Sequence, residues 1–500
     1  MCGFRFFAAK TRPPMILSAG VLSPRPSWTP AFSLTFTFSS HGMRRSHPIL
    51  AVMALLAFVV SSLPSSFDLP AAPQERQIKW PTKTIQIALS TSLLSPSPAI
   101  KADSDVVGAV QRALNSWSTI TNIAFVVSSS KTQSISPSHS GDGINLITVA
   151  PASENLALFG EAKSTARTRV FYDTETGEMT EADIAINPYP YSDDGTPIQF
   201  STDGTFGTYD LESTLAHEIG HLLGLNHSHV IAATMQASQG LNGTYGLPAL
   251  TGRTLGDADI AAARNLYGSR EKAGTIEGRI LDSIDGNLLP ANAAHVWIED
   301  LPAGRVIAST LTTANGRFII NGVPPGSYRA LAEYLDGPAD EAVALTAAAM
   351  DHDSRARQRA FRSVEIRSRV RVIPDKVTAL NYVLVPPQNS PPTLNPRFIG
   401  TNGELSTVPV PARAGTKLTI YVSGEGVDQV PGTGLVMSSP FITVDPASLT
   451  LQQFPGSTPV ISFDVTVAPN APPGDYSIRL QSNSGETAYL VGGITLRSKS

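Results

Sequence analysis

Residues 217–227 read H-E-I-G-H-L-L-G-L-N-H and leave the chain few ways to fold around them. His217 and His221 are four residues apart, so a helix places both imidazoles on one face, about one turn apart, able to chelate one ion. Glu218 stands on the adjoining face, where its carboxylate can reach a metal-held water without becoming a ligand. Gly224 supplies the positive φ often needed just past a helix end, so the chain can turn and bring back His227. Three neutral imidazoles leave a zinc ion one open position of a tetrahedron, which a catalytic site needs and a structural site lacks. Asp210 and Glu212 open the predicted helix, the first as a good N-cap and the second suited to the helix dipole. His229, two residues past the third histidine, is not counted as a fourth ligand, because it would fill the open position.

Met235 follows in A-A-T-M-Q, at the place where a Met-turn is expected. With this residue in place, the segment resembles the metzincin clan and more narrowly the matrixins. The resemblance extends to residues 255–268, L-G-D-A-D-I-A-A-A-R-N-L-Y-G, which are similar to the last helix of a matrixin catalytic domain. It implies an α+β catalytic domain, with a mixed twisted sheet and an active-site helix, acting as a zinc metalloendopeptidase. His217, His221 and His227 would hold one catalytic Zn2+, Glu218 would be the general base, and Met235 would form an apolar floor beneath the metal. Asp183, in E-A-D-I-A-I-N, resembles the strand along the matrixin substrate cleft, where an extended peptide can add as a further strand. It reads equally well as a solvent-facing residue on an alternating strand.

The chain departs from that family in four places. Gln236-Ala237-Ser238 follows Met235 where Tyr-Pro is common, so side-chain preference does not carry over; Tyr245 is the candidate to line that pocket, against a packing role in a Gly-rich loop. Between Trp80 and Asp210 the only histidine is His139, so the second, structural zinc of animal matrixins is not expected. Asp142, Asp193 and Asp194 offer oxygen atoms to a structural Ca2+, without an EF-hand-like loop. The only cysteine, Cys2, lacks the surroundings of the latency cysteine and permits no intramolecular disulfide.

At 500 residues the chain is long enough for about three domains. Residues 1–73 read as an amino-terminal extension. In it Arg44 and Arg45 precede an apolar run at 49–60 that is the length of a signal-peptide core and short for a membrane span. Secretion to the extracellular space is the expectation, and a periplasmic or membrane-anchored protein the alternative if that run is not cleaved. Residues 74–270 read as the protease domain. Val106, Val110, Ala113, Leu114 and Trp117 form one helical stripe, and strands are predicted at 85–89, 123–127, 144–149, 167–172 and 183–186.

Residues 274–385 read as a β-sandwich. T-A-N-G-R-F-I-I-N-G-V-P-P-G-S-Y-R, from 313, has an Asn-Gly turn and a Pro-Pro-Gly turn between short apolar strands. It resembles the carboxypeptidase regulatory-like domain, which carries no catalytic residues. An arginine-rich run at 351–372 ends in an alternating strand, with Val364, Ile366, Val370 and Val372 against Glu365, Arg367, Arg369 and Arg371, so its basic face is solvated. Residues 386–395 are a proline-rich linker, and 396–500 alternate as an immunoglobulin-like β-sandwich. With a net charge of -4 nothing favours nucleic acid. Expected partners are protein or peptide substrates, including extracellular matrix, with cell-surface or carbohydrate contact through the two sandwiches; the oligomeric state is not legible. The rival reading is an extracellular adhesion or carbohydrate-binding protein with a vestigial metal domain.

Overall fold

The computed structural model describes residues 77–497, apart from 160–163, 192–194, 248–251, 269–271, 285–286, 336–344, 347–359, 386–391 and 454–455. Cys2, the apolar run at 49–60, Asp193, Asp194 and most of the proline-rich stretch lie outside the described residues.

The amino-terminal described region is built on a twisted sheet of β1 (Thr84–Ser90), β2 (Ala124–Ser130), β3 (Leu146–Thr148), β4 (Ala166–Tyr172) and β5 (Met179–Ile186). Their order is β4-β5-β3-β1-β2, with β4 antiparallel to β5 and the other neighbours parallel. The two-residue strand Leu345–Thr346 pairs in parallel alongside β4. β5 is buried along almost its whole length, as a strand covered on both faces must be, whereas β2 is mostly exposed and ends in three serines at the other sheet edge.

Three helices of ten residues or more complete this region. α1 (Val106–Ile120) buries Ala109, Val110, Ala113, Leu114 and Trp117 on one stripe and is capped by Asp105, whose side chain accepts from the Gly108 amide. α2 (Leu211–Leu222) carries the first two histidines and packs on α1. The buried Trp117 indole donates to the Ala216 carbonyl at 2.8 Å, fixing the rotation of one helix on the other. α3 (Asp257–Tyr267) closes the region.

Two further β-rich regions follow. Residues 274–385 form two four-stranded sheets; in one of them Val364–Val372 is the outer strand, with Ile366, Val370 and Val372 buried and its arginines exposed. Residues 395–496 form a five-stranded and a four-stranded sheet around Ile420, Phe463, Tyr476 and Ile494. The three regions share buried surface. Val230, Ala233 and Ala258 of the first, Trp297, Val306 and Leu331 of the second and Val491 of the third make one apolar cluster. No helix among the described residues is long and apolar enough to cross a membrane.

Candidate active site

α2 begins at Asp210, whose carboxylate accepts from the Ser213 amide at 2.8 Å and is gripped by Arg253. Glu212 in the first turn pairs with Arg112 of α1 at 2.7 Å. These acidic groups sit at the positive end of the helix dipole and anchor it from two sides.

At the other end the helix stops where the sequence places glycine. Gly224 has φ +88°, and a Cβ there would lie 2.3 Å from the Ile78 carbonyl oxygen. The last turn is clasped by aromatic donors: Trp80 Nε1 reaches the Leu222 carbonyl at 2.7 Å and the Tyr267 hydroxyl the Leu223 carbonyl at 2.6 Å. Tyr267 belongs to the closing Leu-Tyr-Gly of α3, so that motif secures the turn from which His227 returns.

His217, His221 and His227 converge, with ligand atoms within 4.8 Å of one another. His217 Nε2 is 3.1 Å from both His221 Nε2 and His227 Nε2. His217 Nδ1 faces the Thr234 carbonyl at 2.8 Å and His221 Nδ1 the Leu225 carbonyl at 2.7 Å. A carbonyl only accepts, so each Nδ1 carries the proton and each Nε2 presents a lone pair. Neutral imidazoles with lone pairs facing at that distance repel, and a cation between them removes the repulsion. Tetrahedral zinc with Zn–N near 2.05 Å would set nitrogens about 3.3 Å apart, so the site fits that ion with little adjustment. Burial keeps His221 well below the usual histidine range, in the neutral form a ligand needs.

Glu218 is buried beside this cluster. Burial raises its pKa, and the neighbouring His217 and a 2.5 Å hydrogen bond from Thr168 on β4 act in the opposite direction. Met235 packs against the helix at Gly220, where a Cβ would lie 2.2 Å from the methionine sulfur. The turn that carries Met235 is held by Asp259 of α3, which accepts from the amides of Thr234 at 2.8 Å, Met235 at 3.0 Å and Gly256 at 2.9 Å.

Two sequence candidates are placed elsewhere. Asp183 faces no cleft: it is 1% exposed, and its oxygens accept from the Ser136 and Leu146 amides at 2.9 Å. β5 lies inside the sheet, so its pattern of alternation did not distinguish an edge strand from a covered one. Burial pushes this carboxyl up to about 7 despite those bonds. Tyr245 is 1% exposed and belongs to the core of residues 395–496, its hydroxyl 2.9 Å from the Ile399 carbonyl and 2.7 Å from that of Val408. Its side chain therefore lines no pocket beside the histidines. Asp142 accepts from the Ile144 amide, a local turn contact. His229 stands outside the cluster and packs near His295, ring centroids 5.6 Å apart, where burial lowers its pKa to about 3.

Sequence reasoning did not single out Thr168, Thr234, Leu225 or Asp259. Only Asp259 left a signal, as the second acid in the first turn of the closing helix; the others act through a backbone carbonyl or a single hydroxyl on a strand.

Comparison with known proteins bears on the same residues. The family model for matrixin matches residues 79–268, and that for the carboxypeptidase regulatory-like domain matches residues 275–384. A metalloendoproteinase 1 from Glycine max is 29% identical over 197 residues, covering 38% of this chain and 53% of the relative. The chain thus spans about half the length of the curated relative it matches. Among solved structures, the major pilin subunit of Bacillus cereus aligns at 12% identity and TM-score 0.15, over 44% of this chain and 67% of its own. The SGBP-B protein of the Bacteroides ovatus mixed-linkage glucan utilization locus aligns at 12% identity and TM-score 0.16, over 46% and 44%. Neither likeness bears on the chemistry of the histidine cluster. That chemistry rests on the helix, the turn and the closing helix described above, all within residues 79–268, which match the matrixin family, and the match to the carboxypeptidase regulatory-like domain follows them at residues 275–384.

Proposed function

We propose that the chain is an exported, zinc-dependent endopeptidase that hydrolyses peptide bonds of extracellular proteins. The observation that carries this reading is the convergence of three histidine Nε2 lone pairs next to a buried glutamate. Export rests on Arg44, Arg45 and the apolar run at 49–60.

His217, His221 and His227 would hold the zinc, which when bound supplies Lewis acidity toward water and the scissile carbonyl. Thr234 and Leu225 fix the tautomers of His217 and His221 through their carbonyls, so the lone pairs stay directed at the ion. Glu218 takes a proton from the attacking water as oxygen bonds to the carbonyl carbon. It returns that proton to the amine nitrogen as the carbon–nitrogen bond breaks. The Thr168 hydroxyl holds one Glu218 oxygen, leaving the other for this transfer. Met235 closes the apolar side beneath the histidines and ligates nothing.

The test is cleavage of a mixed peptide library by the zinc-loaded full chain, with and without a chelator. Glu218→Ala is expected to lower the rate by about a thousandfold or more while zinc stays bound. No cleavage by the zinc-loaded wild type, or full activity in Glu218→Ala, would overturn the proposal. The first result would favour a binding protein with a vestigial metal domain.

A further inference from the structure

The loop at 236–247, directly after the Met235 turn, is held from two sides by different parts of the chain. On the side of the histidines, Gln239 Oε1 accepts from Thr214 of α2 at 2.8 Å and lies 3.4 Å from Thr165, just before β4. Gln239 Nε2 donates to the Asp210 carbonyl at 3.1 Å. Asn242 exchanges backbone bonds with Gly207 and Thr208 and donates through its side chain to Thr208 and Ser201. Gln239 therefore bridges the two elements that carry His217, Glu218 and Thr168, at the same end of both.

On its other side the loop is held by the third region. The hairpin of Asn395–Thr401 and Glu404–Ser406 grips Tyr245 at three points. The Glu404 carboxylate accepts from the Tyr245 amide at 2.7 Å, Asn402 Nδ2 donates to its carbonyl at 2.8 Å, and its hydroxyl meets the Ile399 and Val408 carbonyls. Gln236 Nε2 reaches the Thr407 carbonyl at 3.4 Å, and a Cβ on Gly240 would lie 3.2 Å from both Val408 methyls. Tyr245 has φ +63°, which a bulky residue adopts only where its surroundings force it. The loop has glycines at 240, 243 and 246 and no regular structure beyond one 3-10 turn, so its own sequence does not fix it.

We propose that the immunoglobulin-like region is a working part of the cleavage site, and that Glu404 and Tyr245 are positioning residues that hold the 236–247 loop. The loop then limits which substrate side chain is accepted beside the cleaved bond. A peptide with its scissile bond at the histidines would meet the Gln239 bridge on the side of Thr165 and Thr214. A loop held in one conformation discriminates there, and a loosened one accepts more. This inference rests on the reading of the chain as a peptidase.

The experiment uses the zinc-loaded full chain, Glu404→Ala and Glu404→Gln. Gln Oε1 can still accept from the Tyr245 amide, so the second variant is the rescue. Two readouts are taken: amide hydrogen exchange at 236–247, and kcat/KM over a peptide set varied at the residues flanking the scissile bond. Glu404→Ala is expected to speed exchange in the loop by about tenfold. It should compress the spread of kcat/KM among substrates by about fivefold with zinc content unchanged, and Glu404→Gln should restore both. Unchanged exchange in Glu404→Ala overturns the proposed hold, whether or not the chain cleaves. Faster exchange with an unaltered substrate spread overturns the role in selectivity. A wild type that cleaves no peptide sinks the peptidase reading, a result distinct from either of these.

Discussion

A single hydroxyl separates Glu218 from an ordinary buried carboxylate. Thr168 donates to it at 2.5 Å from the middle of β4, 50 residues earlier in the chain. Hydrogen bonds to charged groups are worth about 1.5–3 kcal/mol, and removing one partner leaves the other buried and unsatisfied. Thr168→Val keeps the shape of the side chain and removes the donor. Its kcat is expected to fall roughly ten- to a hundredfold with KM little changed, and Thr168→Ser should recover most of the loss. Equal kcat in Thr168→Val and wild type, measured on one good peptide, would show that Glu218 needs no such hold. His217, Glu218 and His221 were legible because one helix sets their spacing, and His227 because Gly224 marks the turn that returns it. Thr168 was not, since any of several strand hydroxyls could have faced the glutamate, and only the register of β4 against β5 and the approach of α2 decide which one does.

The helix-and-turn unit from Leu211 to His227 works only if the chain leaves α2 sharply. At Gly224 two demands coincide, a φ of +88° and a Cβ position 2.3 Å from the Ile78 carbonyl. Gly207 shares the positive φ, +77°, with nothing within 4 Å of its Cβ position, so it isolates the first demand from the second. Gly207→Ala is expected to cost about 1–2 kcal/mol, the left-handed penalty alone. Gly224→Ala should cost about 2–4 kcal/mol and also weaken zinc binding, because the shift moves His227. Denaturant melts of both variants, with zinc titrations, check this; equal losses in the two would remove the close approach to Ile78 from the account. The helix at 106–120 was legible from its apolar stripe, that at 211–222 from the histidine spacing and its acidic start, and that at 257–267 from its resemblance to the last helix of a matrixin domain. The covered strand β5 was misread at Asp183, because alternation is lost where both faces of a strand are buried.

At the scale of the whole molecule, the three regions meet through groups that carry no local signature. Tyr245 looks like a loop tyrosine in sequence and acquires its role from partners more than 150 residues away. Asp475 opens the strand Gly474–Gln481 of the third region and faces the start of α3, its Oδ2 3.0 Å from where a Cβ on Gly256 would stand. Burial pushes its carboxyl up to about 7, with Asp257 and Asp259 raising it further and the Thr495 hydrogen bond and Arg497 opposing. Asp257 and Asp259 are themselves raised, chiefly by burial. An aspartate in the unfolded chain titrates near 3.9. Between that pH and about 7 the folded chain therefore holds a proton that the unfolded chain has released. The contribution of Asp475 to stability is complete below the lower value and is lost as pH rises through the upper one. Asp475→Asn has no proton to lose. Its melting temperature should match wild type near pH 4 and exceed it at pH 8, by an amount corresponding to about 2–4 kcal/mol. Asp257 and Asp259 leave part of the pH slope in the variant. Thermal melts of both proteins across that range decide the matter: parallel curves would mean that Asp475 is ionised in the folded chain, and that the junction between the third region and α3 contains a charge its surroundings accommodate.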